Sequence, residues 1–314
     1  MLNNFADQRF LILGAGVTGS AVASSVRSRG GLVTITDDNA QDALRPESVD
    51  LANFDAVVIS PGWRQDHPLV VKALSSNLHI LNEIDLAWQI RSELAPQQKW
   101  LALTGTNGKT TVSTLLYQIF EAVGRDTGLI GTVETRIGSE GLKSSRTTPE
   151  ASDLQALAAV MRERHMRHLV MEVSSHALTL KRMKGSHFAI AAFTNLTQDH
   201  LDFHKDMDSY FAAKAELFTS EYAEKAFINI DSPYGQRLAD QVKIPVTRIS
   251  RTNKAAEWHF TQTHNVARGI EFSARGTGGI LIDSHTQLSG GFNLDNLLLV
   301  MAIAYECGVD PLEM

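Results

Sequence analysis

The sequence predicts an α/β protein of two units, each built around a mostly parallel sheet. Three observations carry that expectation. Short strand-like runs at Phe10 to Leu13, Leu32 to Thr36, Ala56 to Ile59, Trp100 to Thr104, Leu169 to Val173, Ile190 to Thr194 and Ala226 to Ile230 alternate with helical patterns. Two of these runs lead directly into glycine-rich turns that open a helix, at Gly14 and at Gly105. A length of 314 residues suffices for two domains, at roughly 100–200 residues each.

Composition narrows the functional classes. The formal charge of -6, from 29 Lys+Arg against 35 Asp+Glu, offers no bulk attraction to nucleic acid, so none is expected as a partner. Small anions stay open through local sites. Cys307 is the only cysteine, which excludes a disulfide framework and a cysteine-based zinc site and fits a reducing compartment. No run approaches the roughly 18–20 apolar residues of a membrane span, and Met1 to Gln8 lacks the basic start and apolar stretch of a signal peptide. A cytoplasmic protein is the expectation.

The domain boundary is expected at Ser92 to Lys99, where Pro and polar residues interrupt a helix before the strand at Trp100, giving units 1–96 and 97–314. Gly138 to Pro149, polar and carrying Gly and Pro, reads as a loop near the site. Trp258 to Asp283 shows short alternating segments broken by glycines, a small antiparallel addition. A last helix, about Leu294 to Cys307, stops at Gly308 with Pro311 beyond it.

In the first unit, Gly14-Ala15-Gly16-Val17-Thr18-Gly19 follows a strand and opens a helix, and Asp37 ends the next strand. This Rossmann-like arrangement can hold a phosphate at the helix N-terminus. Alone it would suggest NAD. Ser60-Pro61-Gly62 adds a second tight turn to the same crevice, and a separate ATP site follows, so a different nucleotide is the better candidate. The plainer alternative is that the glycines only tighten a strand-to-helix turn.

In the second unit, Gly105-Thr106-Asn107-Gly108-Lys109-Thr110-Thr111 joins the buried-strand pattern Leu101 to Thr104 to a helix reaching Ala122. Such a P-loop ATPase-type turn wraps amides around a phosphate, with Lys109 as a point charge and the Thr110 hydroxyl for magnesium. Leu103 stands where the usual pattern has its first glycine, so the loop is a variant. Magnesium prefers hard oxygen ligands, and Glu172 at a strand end is the natural carboxylate. Asp199 and His200, beyond the next strand, bring a second polar cluster in which His200 could bind metal. For His176 and His200 the plainer alternative is a hydrogen-bonded loop residue.

The phosphate loop, Glu172-Val173-Ser174-Ser175-His176, Thr194 to His200 and Tyr210-Phe211-Ala212-Ala213-Lys214 together resemble the Mur ligases of peptidoglycan synthesis. Gly291 to Asn296 extends the likeness, with Asn293 and Asn296 matching positions that help bind adenine. The resemblance implies ATP and Mg2+ as cofactors, with Thr110, Glu172, His200 and a carbamylated Lys214 around the metal and Lys109, Lys214 and His200 in catalysis. ATP would phosphorylate the carboxylate of a UDP-N-acetylmuramoyl peptide, and an incoming amino acid would displace phosphate to form an amide. The bland alternative for Lys214 is an exposed helix lysine.

The two units resemble different members. The first is similar to the D-glutamate-adding ligase, which implies that Val17, Thr18, Asp37, Ser60, Pro61 and Gly62 hold the uridine diphosphate. Arg146 to Glu150, Ser174 to Leu178 and Asp199 to His204 resemble the tripeptide-forming ligase, which adds lysine or diaminopimelate; Thr147, Thr148, Ser174 and Arg182 would then hold the muramoyl-dipeptide. Gly131-Thr132 in place of Gly-Asn favours this second reading. The family's third domain, which binds the amino acid, has no counterpart before Met314, so a truncated, monomeric form unable to complete turnover is expected. A folylpolyglutamate synthase is the main enzymatic alternative and a nucleotide-sensing NAD module the remoter one.

Overall fold

Apolar runs only four to seven residues long become parallel strands here because helices cover both faces of each sheet, so every side chain of a central strand can be apolar. A computed structural model describes residues 5–60, 62–94, 98–144 and 146–314, and the chain divides into two compact units, Met1–Pro96 and Gln97–Met314.

The first unit contains β1 (Arg9–Leu13), α1 (Val17–Arg27), β2 (Leu32–Thr36), β3 (Ala56–Ile59), α2 (Pro68–Leu74), β4 (His79–Asn82) and α3 (Glu83–Leu94). Its parallel strands lie in the order β2-β1-β3-β4. The alternation of β1 feeds two cores: Phe10 and Ile12 pack with Val22, Ala23 and Val26 of α1, whereas Leu11 and Leu13 pack with Leu69, Val70 and Ala73 of α2. Strand β4 went unexpected because it is an edge strand, half exposed and carrying His79 and Asn82.

The second unit begins with β5 (Lys99–Thr104), α4 (Lys109–Ala122), β6 (Thr127–Ile130), β7 (Glu134–Ile137), β8 (Glu140–Lys143), α5 (Ala151–Glu163), β9 (His168–Glu172) and α6 (Ser175–Thr179). It continues through β10 (Phe188–Phe193), α7 (Met207–Ala215), β11 (Ala223–Asn229), α8 (Pro233–Gln241), β12 (Val246–Ser250), β13 (Trp258–Val266), β14 (Gly269–Arg275), β15 (Leu281–Thr286) and α9 (Gly291–Glu306). The sheet runs β15-β14-β13-β12-β11-β10-β5-β9-β6-β7-β8. Its middle is parallel, and antiparallel strands close each edge.

The addition read at Trp258 to Asp283 corresponds to β13, β14 and β15. The loop expected over Gly138 to Pro149 is corrected in part: its first residues form β8, paired antiparallel with β7. All four β8 side chains are exposed, so no apolar alternation marks the strand. Amphipathic α4 buries Val112, Leu116 and Phe120 against Leu101, Leu103 and the Leu298 to Ile303 face of α9; each such side chain contributes about 1.5–3 kcal/mol. No described helix is long and apolar enough to cross a membrane.

Register places the site. Leu103 lies opposite both Glu172 of β9 and Ala192 of β10. The carboxyl ends of these strands are therefore level, and the segments after them converge at one edge of the sheet, where ligands of open α/β sheets bind.

Candidate functional site

The loop between β5 and α4 has two backbone positions that only glycine fills easily. Gly105 has φ +146° and Gly108 φ +87°. A Cβ on Gly105 would lie 2.0 Å from Thr194 Oγ1, and one on Gly108 would lie 2.3 Å from Asn296 Oδ1. Gly108→Ala is therefore expected to cost the second unit about 1–3 kcal/mol in urea unfolding, through left-handed strain and the clash. Adding Asn296→Ala should restore the part due to the clash; a single variant as stable as the parent would contradict this geometry.

The segment after β10 braces the loop from outside. The amides of Thr106 and Asn107 donate to Asn195 O (2.9 Å) and Oδ1 (3.0 Å), while Thr194 Oγ1 and Asn195 Nδ2 donate to Asn107 O. Thr106 Oγ1 donates to Thr197 O and accepts from Thr197 N. Within the Gly105 to Lys109 turn that the sequence suggested, the Thr106 and Asn107 amides are thus engaged inside the protein. In the first turn of α4, Lys109 to Thr111, no side chain caps the helix, and its dipole and amides stay open to an anion. Asn296 is buried behind Gly108. Asn293, one turn earlier, donates to Ser289 O.

Two lysines share one carbonyl. Lys109 Nζ donates to Gly105 O and Thr106 O, each at 3.0 Å, and Lys214 Nζ donates to Gly105 O at 2.8 Å. Burial pushes Lys109 down from its ordinary value, and Glu172 and Asp199 oppose that shift. Lys214, with 2% of its surface exposed, is pushed well below the usual lysine range by burial and then by the Lys109 charge. The exposed-lysine alternative does not hold. Such a shift brings the neutral amine, whose nitrogen lone pair is nucleophilic, within easier reach. Sequence reasoning passed over Tyr210, whose fully buried ring lies under Lys214 Nζ at 4.8 Å and whose hydroxyl meets Thr106 Oγ1 at 3.3 Å.

Glu172 is wholly buried, and among the described residues it forms no ion pair. Its oxygens accept instead from Thr132, at 2.9 Å from the backbone N–H and at 2.9 Å from the hydroxyl. A buried carboxylate with no close ion pair is costly; Lys109 attracts it only at longer range, and its hard oxygens fit a divalent cation. Among the described residues no group of three or more His, Cys, Asp or Glu side chains is arranged to hold a metal ion by itself. This donor set, a carboxylate and the hydroxyl of Thr110, suits magnesium, which keeps several waters and takes substrate phosphates as ligands.

His200 has φ +52° and stands with its ring edge on His176 at 5.0 Å, Nε2 lying 3.5 Å from Asp199 Oδ2. His176 also lies over Phe203 at 4.1 Å. His204, not singled out from the sequence, is buried, and its Nε2 is 2.9 Å from Ser175 Oγ. Burial lowers both His176 and His204 first, and a neighbouring ring lowers each further, His200 acting on His176 and His176 acting on His204.

The 146–150 segment meets the end of β9. Buried Thr148 donates to Glu172 O and accepts from Ser174 N, both at 3.0 Å, so its hydroxyl is an internal brace. Ser174 caps α6 through Ala177 N. Arg182 reaches Thr148 O at 3.4 Å and Glu150 Oε1 at 2.9 Å, while its buried Nε has no partner among the described residues. Thr147 is half-buried and lies 3.0 Å from the Thr132 hydroxyl.

In the first unit a cavity of about 460 Å³ is lined by Gly16, Val17, Thr18, Asp37, Ser60 and Gly62, among others. Helix α1 enters it without a side-chain cap. Asp37 accepts from Ala15 N at 2.8 Å, Asn39 N at 2.8 Å and Ala40 N at 3.1 Å, contacts that hold its carboxyl below the usual range. It therefore joins the two loops, where an NAD reading would have it serve ribose hydroxyls. Ser60 Oγ is buried beside Gly14 with no partner among the described residues. Pro61 lies outside the described residues.

Known proteins are similar to this chain in sequence and fold. Residues 103–304 match the Mur ligase middle domain. A UDP-N-acetylmuramoyl-L-alanyl-D-glutamate--2,6-diaminopimelate ligase of Streptomyces avermitilis is 44% identical over 212 residues, covering 67% of this chain and 42% of that protein. A UDP-N-acetylmuramyl-tripeptide synthetase of Leifsonia xyli is 38% identical over 314 residues, covering 97% of this chain and 60% of that protein. The chain thus spans about half the length of the relatives it matches. In fold, a solved diaminopimelate ligase structure superposes with TM-score 0.63 at 21% identity, covering 98% of this chain and 58% of that one. The matched segment holds the phosphate loop, both lysines and Glu172, and on that evidence the chain belongs to the Mur ligase family.

Proposed function

We propose that the chain is the precursor- and ATP-binding part of a ligase that adds a diamino acid, lysine or diaminopimelate, to UDP-MurNAc-L-Ala-D-Glu. The uncapped α4 terminus beside Lys109, Lys214 and Glu172 carries this reading. Open helix amides, the Lys109 ammonium, the buried Lys214 amine and a metal-type carboxylate at neighbouring strand ends support it. The printed names of the relatives supply the substrate class.

The substrate carboxylate attacks the terminal phosphorus of ATP, ADP leaves, and an acyl phosphate forms. The incoming amine then attacks the acyl carbon, loses a proton and expels phosphate. Such phosphoryl transfer needs positioned charge and no protein nucleophile. The α4 amides and Lys109 hold the phosphates; Thr110, Glu172, His200 and a carbamylated Lys214 are the candidate magnesium ligands. Magnesium, when bound, would withdraw charge from the transferring phosphoryl group. In its neutral form, which burial favours, Lys214 Nζ is suited to attack carbon dioxide: an N–C bond forms, a proton leaves nitrogen, and the carbamate exchanges a donor for two oxygen acceptors. In the first unit the α1 terminus takes the diphosphate of the precursor, with Val17, Thr18, Asp37, Ser60 and Gly62 around it. In the second, Thr147 and Arg182 are the candidate contacts for a muramoyl-peptide, with Thr148 and Ser174 bracing the segment. The reading places the chain in the cytoplasm as a monomer.

Titration of the chain with UDP-N-acetylmuramoyl-dipeptide and with NAD tests the first unit. Binding of the UDP compound and none of NAD is expected; tight NAD binding without the UDP compound reverses the assignment. Adding D-glutamate, lysine or diaminopimelate to an enzyme that also carries an amino-acid-binding domain then identifies the acceptor. Amide formation with D-glutamate alone would overturn the diamino-acid reading.

A further inference from the structure

We propose that Thr132 is a positioning residue, which clamps both oxygens of the Glu172 carboxylate for a divalent cation and links that carboxylate to Thr147. The inference rests on Glu172 being a magnesium ligand. A carboxylate at the end of a glutamate side chain turns easily, because its last torsion has a broad minimum. Here two donors from one residue remove that freedom: Thr132 N–H meets Oε1 and Thr132 Oγ1 meets Oε2, each at 2.9 Å.

The backbone is shaped for this contact. Thr132 lies in the turn between β6 and β7, closed by Gly131 N donating to Glu134 O at 3.1 Å. A Cβ on Gly131 would lie 2.6 Å from Glu172 Oε1. The turn passes close against the carboxylate at a residue with no side chain, and that passage delivers the Thr132 amide.

The clamp also sets the direction of protons. A metal-binding carboxylate only accepts hydrogen bonds, so the Thr132 hydroxyl proton points to Glu172. The 3.0 Å contact between Thr132 Oγ1 and Thr147 Oγ1 is then made by Thr147 donating. Thr147 is left with acceptor lone pairs for the precursor, so it selects an N–H or O–H group. Movement of Thr147 when precursor binds would reach the metal carboxylate through Thr132.

The test is Mn2+ binding to the chain with ADP, followed by electron paramagnetic resonance, alongside ADP binding in the presence of a chelator. Thr132→Val keeps the shape and the amide but lacks the hydroxyl. It should weaken Mn2+ about 10-fold or more, the usual effect of losing a hydrogen bond to a metal ligand, and leave metal-free ADP binding unchanged. Thr132→Ser should restore the affinity, and Thr132→Ala should repeat the loss without added bulk. Thr147→Val should lower affinity less, and adding it to Thr132→Val should cost nothing more. Parental Mn2+ affinity in folded Thr132→Val, or equal losses of Mn2+ and metal-free ADP, overturns the role of Thr132. Absence of Mn2+ binding by the parent chain overturns the magnesium reading of Glu172 and this inference with it.

Discussion

Lys109→Ala is expected to weaken ADP binding in the presence of magnesium by about 100-fold, equivalent to about 2.7 kcal/mol, within the range of a charged hydrogen bond. The lysine is held over the loop by Gly105 O and Thr106 O, so its cation is in place before ligand arrives and little ordering is needed on binding. Burial already disfavours its charge, which makes an incoming phosphate a strong stabiliser of the protonated form. Lys109→Arg should fail as well, because a planar fork cannot repeat two carbonyl contacts made by a compact ammonium. Calorimetric titration of the chain with ADP reads the effect. Parental affinity in Lys109→Ala would remove the phosphate role from this loop.

Lys214→Met is expected to raise the unfolding temperature at neutral pH by at least about 2–4 °C, the shift that 1 kcal/mol gives in a domain of this size. An apolar side chain of similar length fills the same buried volume without an amine that burial penalises. The sign follows from proton binding. The unfolded chain carries the proton at any pH below the ordinary value of 10.5, whereas the folded chain takes it up only well below that value. Unfolding therefore binds a proton in this window, and the parent gains stability as pH rises through it and loses stability as pH falls. The Met variant should lack this dependence. Bicarbonate should stabilise the parent and leave the variant unaffected, because only the lysine can form a carbamate. In the complete enzyme the variant should bind ADP normally and form acyl phosphate about 100-fold more slowly, as when one preorganised charge-stabilising contact is lost. A pH profile of stability identical in both proteins would exclude a neutral Lys214.

Local chemistry made the strand-to-helix glycine turns at Gly14 and Gly105 legible in sequence, along with the central strands, which are short apolar runs bounded by turn residues. Fully exposed β8, edge strand β4 and the short strands β6 and β12 were not legible. Their pairing depends on neighbours outside the strand itself: β8 is exposed and β4 only partly buried, and Thr127 and Gly128 in β6 and Thr247 and Arg248 in β12 break the apolar run that marks β3.

By itself, the sequence determined the family-type motifs, the phosphate loop and the spacing that sets Glu172, His200 and Lys214 after separate elements, since each depends on residues close together in the chain. Tertiary structure alone decided the rest. Lys214 proved to be buried, Asn195 holds the loop amides, Asn296 lies behind Gly108, and Thr132 grips Glu172. Burial and cross-strand register bring together residues as distant as Thr132 and Glu172, and no local pattern encodes which pairs will meet.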